Sequence, residues 1–256
     1  MSNYLSDEAR LEIRSKVFRS AAKLFLERGY SSTTTRGLAE ASGVNVSTMN
    51  REFGSKENIL CGLVRYVMAG QFSAARKLIA GKTEDPVLFY AVETALQLYM
   101  SECGEGIRNL YLTAYSLPRS VEVIHTAVSE TLLPMTFGDY LPEIAPEEFY
   151  LYEIASGGII RGYIGIPSSP EFTPEQKVEH FLDASLRVYH IPEDKIREAI
   201  GFVKQLDMQT AAKENIAELL RALEDPNHPD LMMLFADQTN PQHLSGKNHS
   251  PKEETI

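Results

Sequence analysis

The sequence predicts an all-α protein in two parts, a small N-terminal three-helix unit and a larger helical domain behind it. Three observations predict it. Apolar residues recur three and four apart in one segment after another: Ile13, Val17, Phe18, Ala21, Leu24 and Phe25 early on, Ile59, Leu60, Leu63, Val64 and Val67 further along. Glycine and proline stop these segments at helical lengths, at Gly29, Gly54, Gly81, Pro118, Pro134 and Pro167. Between Thr33 and Lys56, two short helices close on a tight turn. The 256 residues, 43% hydrophobic and 23% charged, supply ample material for a core.

The first helix occupies Arg10 to Tyr30 and stops at Gly29-Tyr30. Arg10, Arg14, Lys16 and Arg19 lie along it, and Arg14 and Lys16 are candidates for contacts to a phosphate backbone. Thr34 or Thr35 caps a second helix whose inward face is Leu38, Ala39 and Ser42. Gly43 stands where the turn needs a residue tolerant of positive φ, and Val44 plugs that turn into the core. Ser47 and Thr48 begin a third helix that buries Met49 and Phe53. It is roughly 10 Å long at about 1.5 Å per residue, enough to lie across one major groove of DNA. Asn45, Val46, Ser47, Thr48, Asn50 and Arg51 point outward, polar or small, as a base-reading surface requires. Gly54 ends this helix, and Ser55-Lys56-Glu57-Asn58 caps a long fourth one that places Cys61 near its inward stripe. Lys56, in a first helical turn beside free N–H groups, is the stronger candidate for a phosphate.

Residues 14–60 resemble the DNA-binding domain of the TetR/AcrR family of transcriptional regulators. The likeness rests on Ala22, Phe25, Gly29-Tyr30, Thr34, Leu38-Ala39, Ala41, Gly43-Val44, Thr48, Phe53 and Ser55-Lys56-Glu57. It implies a homodimer on double-stranded operator DNA, reading half-sites about 34–36 Å apart. Thr35, Arg36, Asn45, Val46, Ser47, Thr48, Asn50, Arg51 and Lys56 are the DNA-binding residues it implies, with Arg36 and Lys56 fixing the register. Two positions depart from the pattern. Asn50 replaces the family's usual aromatic, and Glu52 is an acid close to where the DNA backbone should pass.

Past Gly81 the helices are richer in apolar and aromatic residues. Segments 86–103, 106–116 and 119–133 read as helices, followed by a loop from Met135 to Pro142. Seven tyrosines fall between Tyr90 and Tyr152. A ring that also carries a hydroxyl suits either a pocket for an amphipathic molecule or the core of a bundle. Tyr99, Tyr111, Tyr115 and Phe137 are the ligand-binding candidates. The helix at 147–166 contains Gly157, Gly158, Gly162 and Gly165; each costs about 1 kcal/mol relative to Ala, which points to close helix packing. Thr173 caps a helix with Pro174 in its first turn and an inward stripe of Val178, Phe181, Leu182, Ser185, Leu186 and Tyr189. By the resemblance, these two helices build a four-helix dimer interface; an intrachain hairpin is the alternative. Helices at 193–206 and 208–224 either widen that interface or cover the bundle, and the polar tail from Pro226 reads as disordered.

The predicted domains are therefore 1–55 for DNA, 56–225 for effector binding and dimerisation, and 226–256 as tail. The formal charge of −10 is uneven: residues 1–81 carry 12 Lys/Arg against 7 Asp/Glu, net +5, leaving 13 against 28, net −15, for the rest. A basic end on an acidic chain suits DNA contact by that end, and the acidic tyrosine-rich domain favours a cationic or amphipathic ligand. Two cysteines, no membrane-length apolar run and no signal segment favour a cytoplasmic protein. The six histidines have no metal-ligand spacing, and no phosphate loop or nucleophile motif appears, so neither a cofactor nor an enzyme is expected. The function expected is a dimeric transcriptional regulator, a repressor released by a small-molecule effector. The alternative is a helical ligand-binding or interaction protein whose helix-turn-helix no longer binds DNA.

Overall fold

The computed structural model describes residues 6–132, 140–141, 144–225, 228 and 231. Within them the chain forms α1 (Asp7–Arg28), α2 (Thr35–Ser42), α3 (Val46–Phe53), α4 (Lys56–Ile79), α5 (Pro86–Ser101), α6 (Glu105–Ala114), α7 (Pro118–Leu132), α8 (Pro146–Gly165), α9 (Pro174–Val188), α10 (Glu193–Val203) and α11 (Met208–Glu224). The described residues add one isolated β-bridge, Ser169 to Phe172. The all-α expectation holds. Phe137 and nearly all of the tail after Pro226 lie outside the described residues.

Short polar side chains set the helix starts. Ser6, Thr34, Asn45, Ser55 and Asp85 each accept a backbone N–H of the first turn they cap. Thr173 and Gln176 close a reciprocal capping box at the head of α9. The third helix begins at Val46, earlier than Ser47-Thr48. Asn45 Oδ1 accepts the Thr48 N–H at 2.8 Å and the Ser47 hydroxyl at 2.7 Å, which pulls Val46 into the first turn.

α5 is the axis of the larger domain. Every residue from Val87 to Ser101 is buried, because α4, α6, α8, α9, α10 and α11 pack around it. A helix apolar on all sides is stable only when enclosed in this way. Tyr90 and Tyr189 meet edge to face inside this core, ring centroids 5.4 Å apart, so these tyrosines are packing residues. α4 also touches α1 and α3, which makes it the element shared by both parts of the molecule.

The two C-terminal helices cover the bundle. α11 lies on α4 and α5 and reaches α1. Tyr66 donates its hydroxyl to Leu219 O at 2.8 Å, and Arg19 donates to Glu224 O at 3.2 Å. α9 spends its apolar stripe inside its own chain, as the hairpin alternative has it: Val178, Phe181, Leu182, Leu186 and Tyr189 are all buried. α8 is different. A methyl group at Gly157 would stand 2.3 Å from His125 Cε1, whereas Gly158 and Gly162 meet nothing within 4 Å. Leu151 and Ile154, 61% and 46% exposed, share that open outer side.

Candidate nucleic-acid interface and effector cavity

α2, the turn at Gly43 and α3 form the helix-turn-helix. Gly43 takes φ 67° and ψ 17°, a left-handed geometry that costs a residue with a Cβ, and its N–H reaches back to α2. Val44 and Met49 are buried beneath the turn, and Leu38 seats α2 on α1. This leaves Asn45, Val46, Ser47, Asn50 and Arg51 exposed along one side of α3, with Thr48 half-buried beside them. On α2, Arg36 is exposed and pairs with Glu40 at 3.3 Å, one turn on, while Thr35 is half-buried in the first turn.

Glu52 is turned away from the exposed side of α3. Its side chain is 2% exposed and accepts Arg10 Nε and Arg14 Nε at 3.2 Å each, while Arg51 Nε stands 3.7 Å away. Arg14 also donates to the Glu52 backbone oxygen at 3.4 Å. The recognition helix is thus pinned to α1 by a buried charge cluster. This corrects two expectations: Glu52 is no acid in the path of the phosphates, and Arg14 is a buried tie rather than a phosphate contact. Burial of a carboxylate is tolerable only with such partners.

Lys56 is also used internally. Its ammonium donates to Tyr30 O and Thr33 O, 2.8 Å each, and lies 4.0 Å from the Tyr30 ring centroid. Burial lowers its pKa. Two of its three protons serve backbone carbonyls in the loop between α1 and α2, of which Tyr30 O also accepts the Thr33 N–H at 3.2 Å. Its first task is therefore to join the α1–α2 corner to α4.

In the larger part, a cavity of about 110 Å³ opens between α1, α4, α5, α6, α7 and α11. Leu26, Leu63, Val67, Ile124 and Leu220 are among its apolar walls, and Gln97, Tyr111 and Tyr115 supply polar groups. No charged side chain lines it among the described residues. Of the four ligand-binding candidates, Tyr111 and Tyr115 are brought together here. Tyr99 is not; it donates to Glu175 Oε1 at 3.0 Å in a separate polar cleft with Lys204 and Asp207. The reason is helical phase, since Gln97 and Tyr99 lie about 200° apart around α5 at 100° per residue. The domain's acidic side chains stay out of this cavity, so among the described residues nothing on its walls favours a cation.

Behind the polar end of the cavity runs a buried chain of hydrogen bonds. Tyr111 donates to Gln71 Oε1 at 3.0 Å; the Gln71 amide donates to Glu93 Oε1 and, at 3.5 Å, to Gln97 Oε1; Gln97 Nε2 donates to Tyr115 Oη at 2.8 Å. Burial pushes the Glu93 carboxyl up to about 7. Burial likewise pushes Glu153, which accepts the Tyr189 hydroxyl at 2.6 Å, up to about 8. Gln71, Glu93 and Gln97 were not singled out by sequence. The signal was present as polar residues inside apolar helices, with Glu93 and Gln97 one turn apart on one face.

Comparison with known proteins bears on the same N-terminal region. Residues 17–61 match the family described as bacterial regulatory proteins, tetR family. The match covers the helix-turn-helix and the helices on either side of it. A curated relative, the HTH-type transcriptional repressor KstR2 of Rhodococcus jostii (strain RHA1), is 30% identical over 81 residues, 32% of this chain and 40% of the relative. The chain thus aligns with well under half of that relative's length. The crystal structure of RolR in complex with resorcinol shares the fold, with a TM-score of 0.59 and 16% identity across 75% of this chain and 95% of that one. The family is one of regulators rather than enzymes. No helix among the described residues is long and apolar enough to cross a membrane.

Proposed function

We propose that this chain is a DNA-binding transcriptional repressor that works as a homodimer and leaves its operator when a small molecule enters the α4–α5–α6–α7 cavity. The observation that carries the reading is the exposed polar side of α3, presented on a helix that buried charge pairs hold to α1. Asn45, Val46, Ser47, Thr48, Asn50 and Arg51 would meet base edges or nearby phosphates, and Thr35 and Arg36 would meet the flanking backbone. Lys56 would add a phosphate contact only through its remaining proton. Glu52, one of the two residues that kept the non-DNA alternative open, is turned inward and no longer supports it.

The outer side of α8 supports a two-fold partner. Leu151, Ile154, Ala155, Gly158 and Gly162 are exposed at helical spacing, and the open glycines permit close approach of a second helix. Leu151→Glu should give a folded monomer by sedimentation; a dimer unchanged by that substitution overturns α8 as the interface. The cavity supports effector control because α4 forms one wall and continues into the DNA-binding part. Effector and operator should then weaken each other by the same factor. The domain limits 1–55 and 56–225 and a cytoplasmic site of action belong to this reading. A gel shift on the chain's own promoter region across a salt series tests it, with a discrete salt-weakened complex expected. A folded dimer that binds no DNA at low salt overturns it.

A further inference from the structure

The hydrogen-bond chain behind the cavity has a direction. Each donor points to the next acceptor from Tyr111 through Gln71 and Gln97, and the run ends on the oxygen of Tyr115. Among the described residues the Tyr115 hydroxyl accepts from Gln97 and donates to nothing. Its own proton is therefore available at the polar end of a cavity whose other walls are hydrocarbon. The chain also spans three helices: Gln71 is on α4, Glu93 and Gln97 on α5, Tyr111 on α6, and Tyr115 is the residue that caps α6 at its C-terminus.

We propose that the cavity takes an uncharged, mainly hydrocarbon molecule carrying an oxygen acceptor, and that Tyr115 recognises this oxygen while the Gln97–Gln71 pair relays its arrival to α4. The inference rests on reading the cavity as the effector site. Charge is excluded by the walls. A buried anion would find no cation on them and would have Glu93 behind Gln71; a buried cation would find no carboxylate on the lining. Size is limited as well. A cavity of about 110 Å³ is somewhat smaller than the roughly 150 Å³ that accommodates benzene, so one ring fits with slight expansion. The relay follows from Gln71. It is fully engaged with Tyr111, Glu93 and Gln97, so a rotation of Gln97 or Tyr115 towards a ligand must re-aim the Gln71 amide, and Gln71 sits on the helix that leads to the DNA-binding part.

Calorimetric titration of the full chain with phenol, toluene, benzoate and benzylamine tests this, beside the same titrations of Tyr115→Phe. Phenol and toluene should both bind, and benzoate and protonated benzylamine should bind at least about tenfold more weakly than phenol. Tyr115→Phe should cost phenol about threefold to tenfold in affinity and leave toluene unchanged, which also shows that the variant keeps its fold. Benzoate or benzylamine binding as tightly as phenol overturns the ligand class, as does an equal loss for phenol and toluene in the variant. Failure of both neutral probes to bind overturns the cavity as the site. The promoter gel shift on the same preparation separates either failure from a failure of the regulator reading itself.

Discussion

Two regions of this chain bury carboxylates, and they solve the problem in opposite ways. Beside the helix-turn-helix, Glu52 is surrounded by Arg10, Arg14 and Arg51. In the larger domain, Glu93 and Glu153 meet only amide and hydroxyl groups among the bonds described, and burial drives both carboxyls upward, to about 7 and about 8. The first arrangement fixes a helix that must present its side chains at a set angle. The second places near-neutral acids in a core beside a ligand-sized cavity, where a hydrogen-bond pattern matters more than a charge. The contrast teaches that burial alone does not define a carboxylate's role; the nearest cation does.

The strongest way to break the comparison is Arg14→Ala. It removes the most buried cation from Glu52, and breaking a buried pair costs about 3–5 kcal/mol. Urea unfolding should show that loss; a change below about 1 kcal/mol would mean Glu52 escapes to water and the pin is not structural. Glu93→Gln tests the opposite region. Because the folded pKa of Glu93 lies above its ordinary value of 4.5, the native state binds more protons than the unfolded chain between about pH 4.5 and 7. Stability should therefore fall as pH rises through that window, and Glu153 extends the fall towards pH 8. Glu93→Gln should flatten the fall and stabilise the protein at pH 8 by on the order of 1–3 kcal/mol. A variant destabilised equally at pH 5 and pH 8 would place the carboxylate's value in its shape instead. The smallest effect on stability belongs to Arg51→Ala, within about 0.5 kcal/mol, since the side chain is exposed. Its effect on DNA should be plain: with one Arg51 lost from each subunit of the dimer, the slope of log affinity against log salt should shrink by about two. An unchanged slope would remove Arg51 from the interface.

Much of the fold was legible in the sequence because it is local. The inward stripes of α1, α4 and α9 follow helical period, and Ser55 and Thr173 cap the helices that begin beside them. The turn at Gly43 was legible for the same reason, since only its own φ was needed. The candidate site was legible in part. The outward residues of α3 could be named from phase within one short helix. The role of Glu52 could not, because its partners lie 38 and 42 residues away and no local pattern marks them. The internal ties of Lys56 were hidden in the same way, its carbonyl partners being 23 and 26 residues distant.

The larger domain shows the same division. Sequence established that tyrosines are dense there, but not which of them share a cavity. Tyr111 and Tyr115 lie one turn apart, in the last turn of α6 and at its C-cap, and so face one way, while Tyr99 depends on how α5 is rotated against α9. By itself the sequence determined the helices, their caps, the helix-turn-helix and the basic N-terminal end, because each depends on neighbours within one or two turns. Only the tertiary structure decided which charges are paired, which tyrosines line a space and which helix covers it. Those outcomes depend on side chains that meet only after the chain has folded back on itself, and separation along the sequence carries no record of which ones will meet.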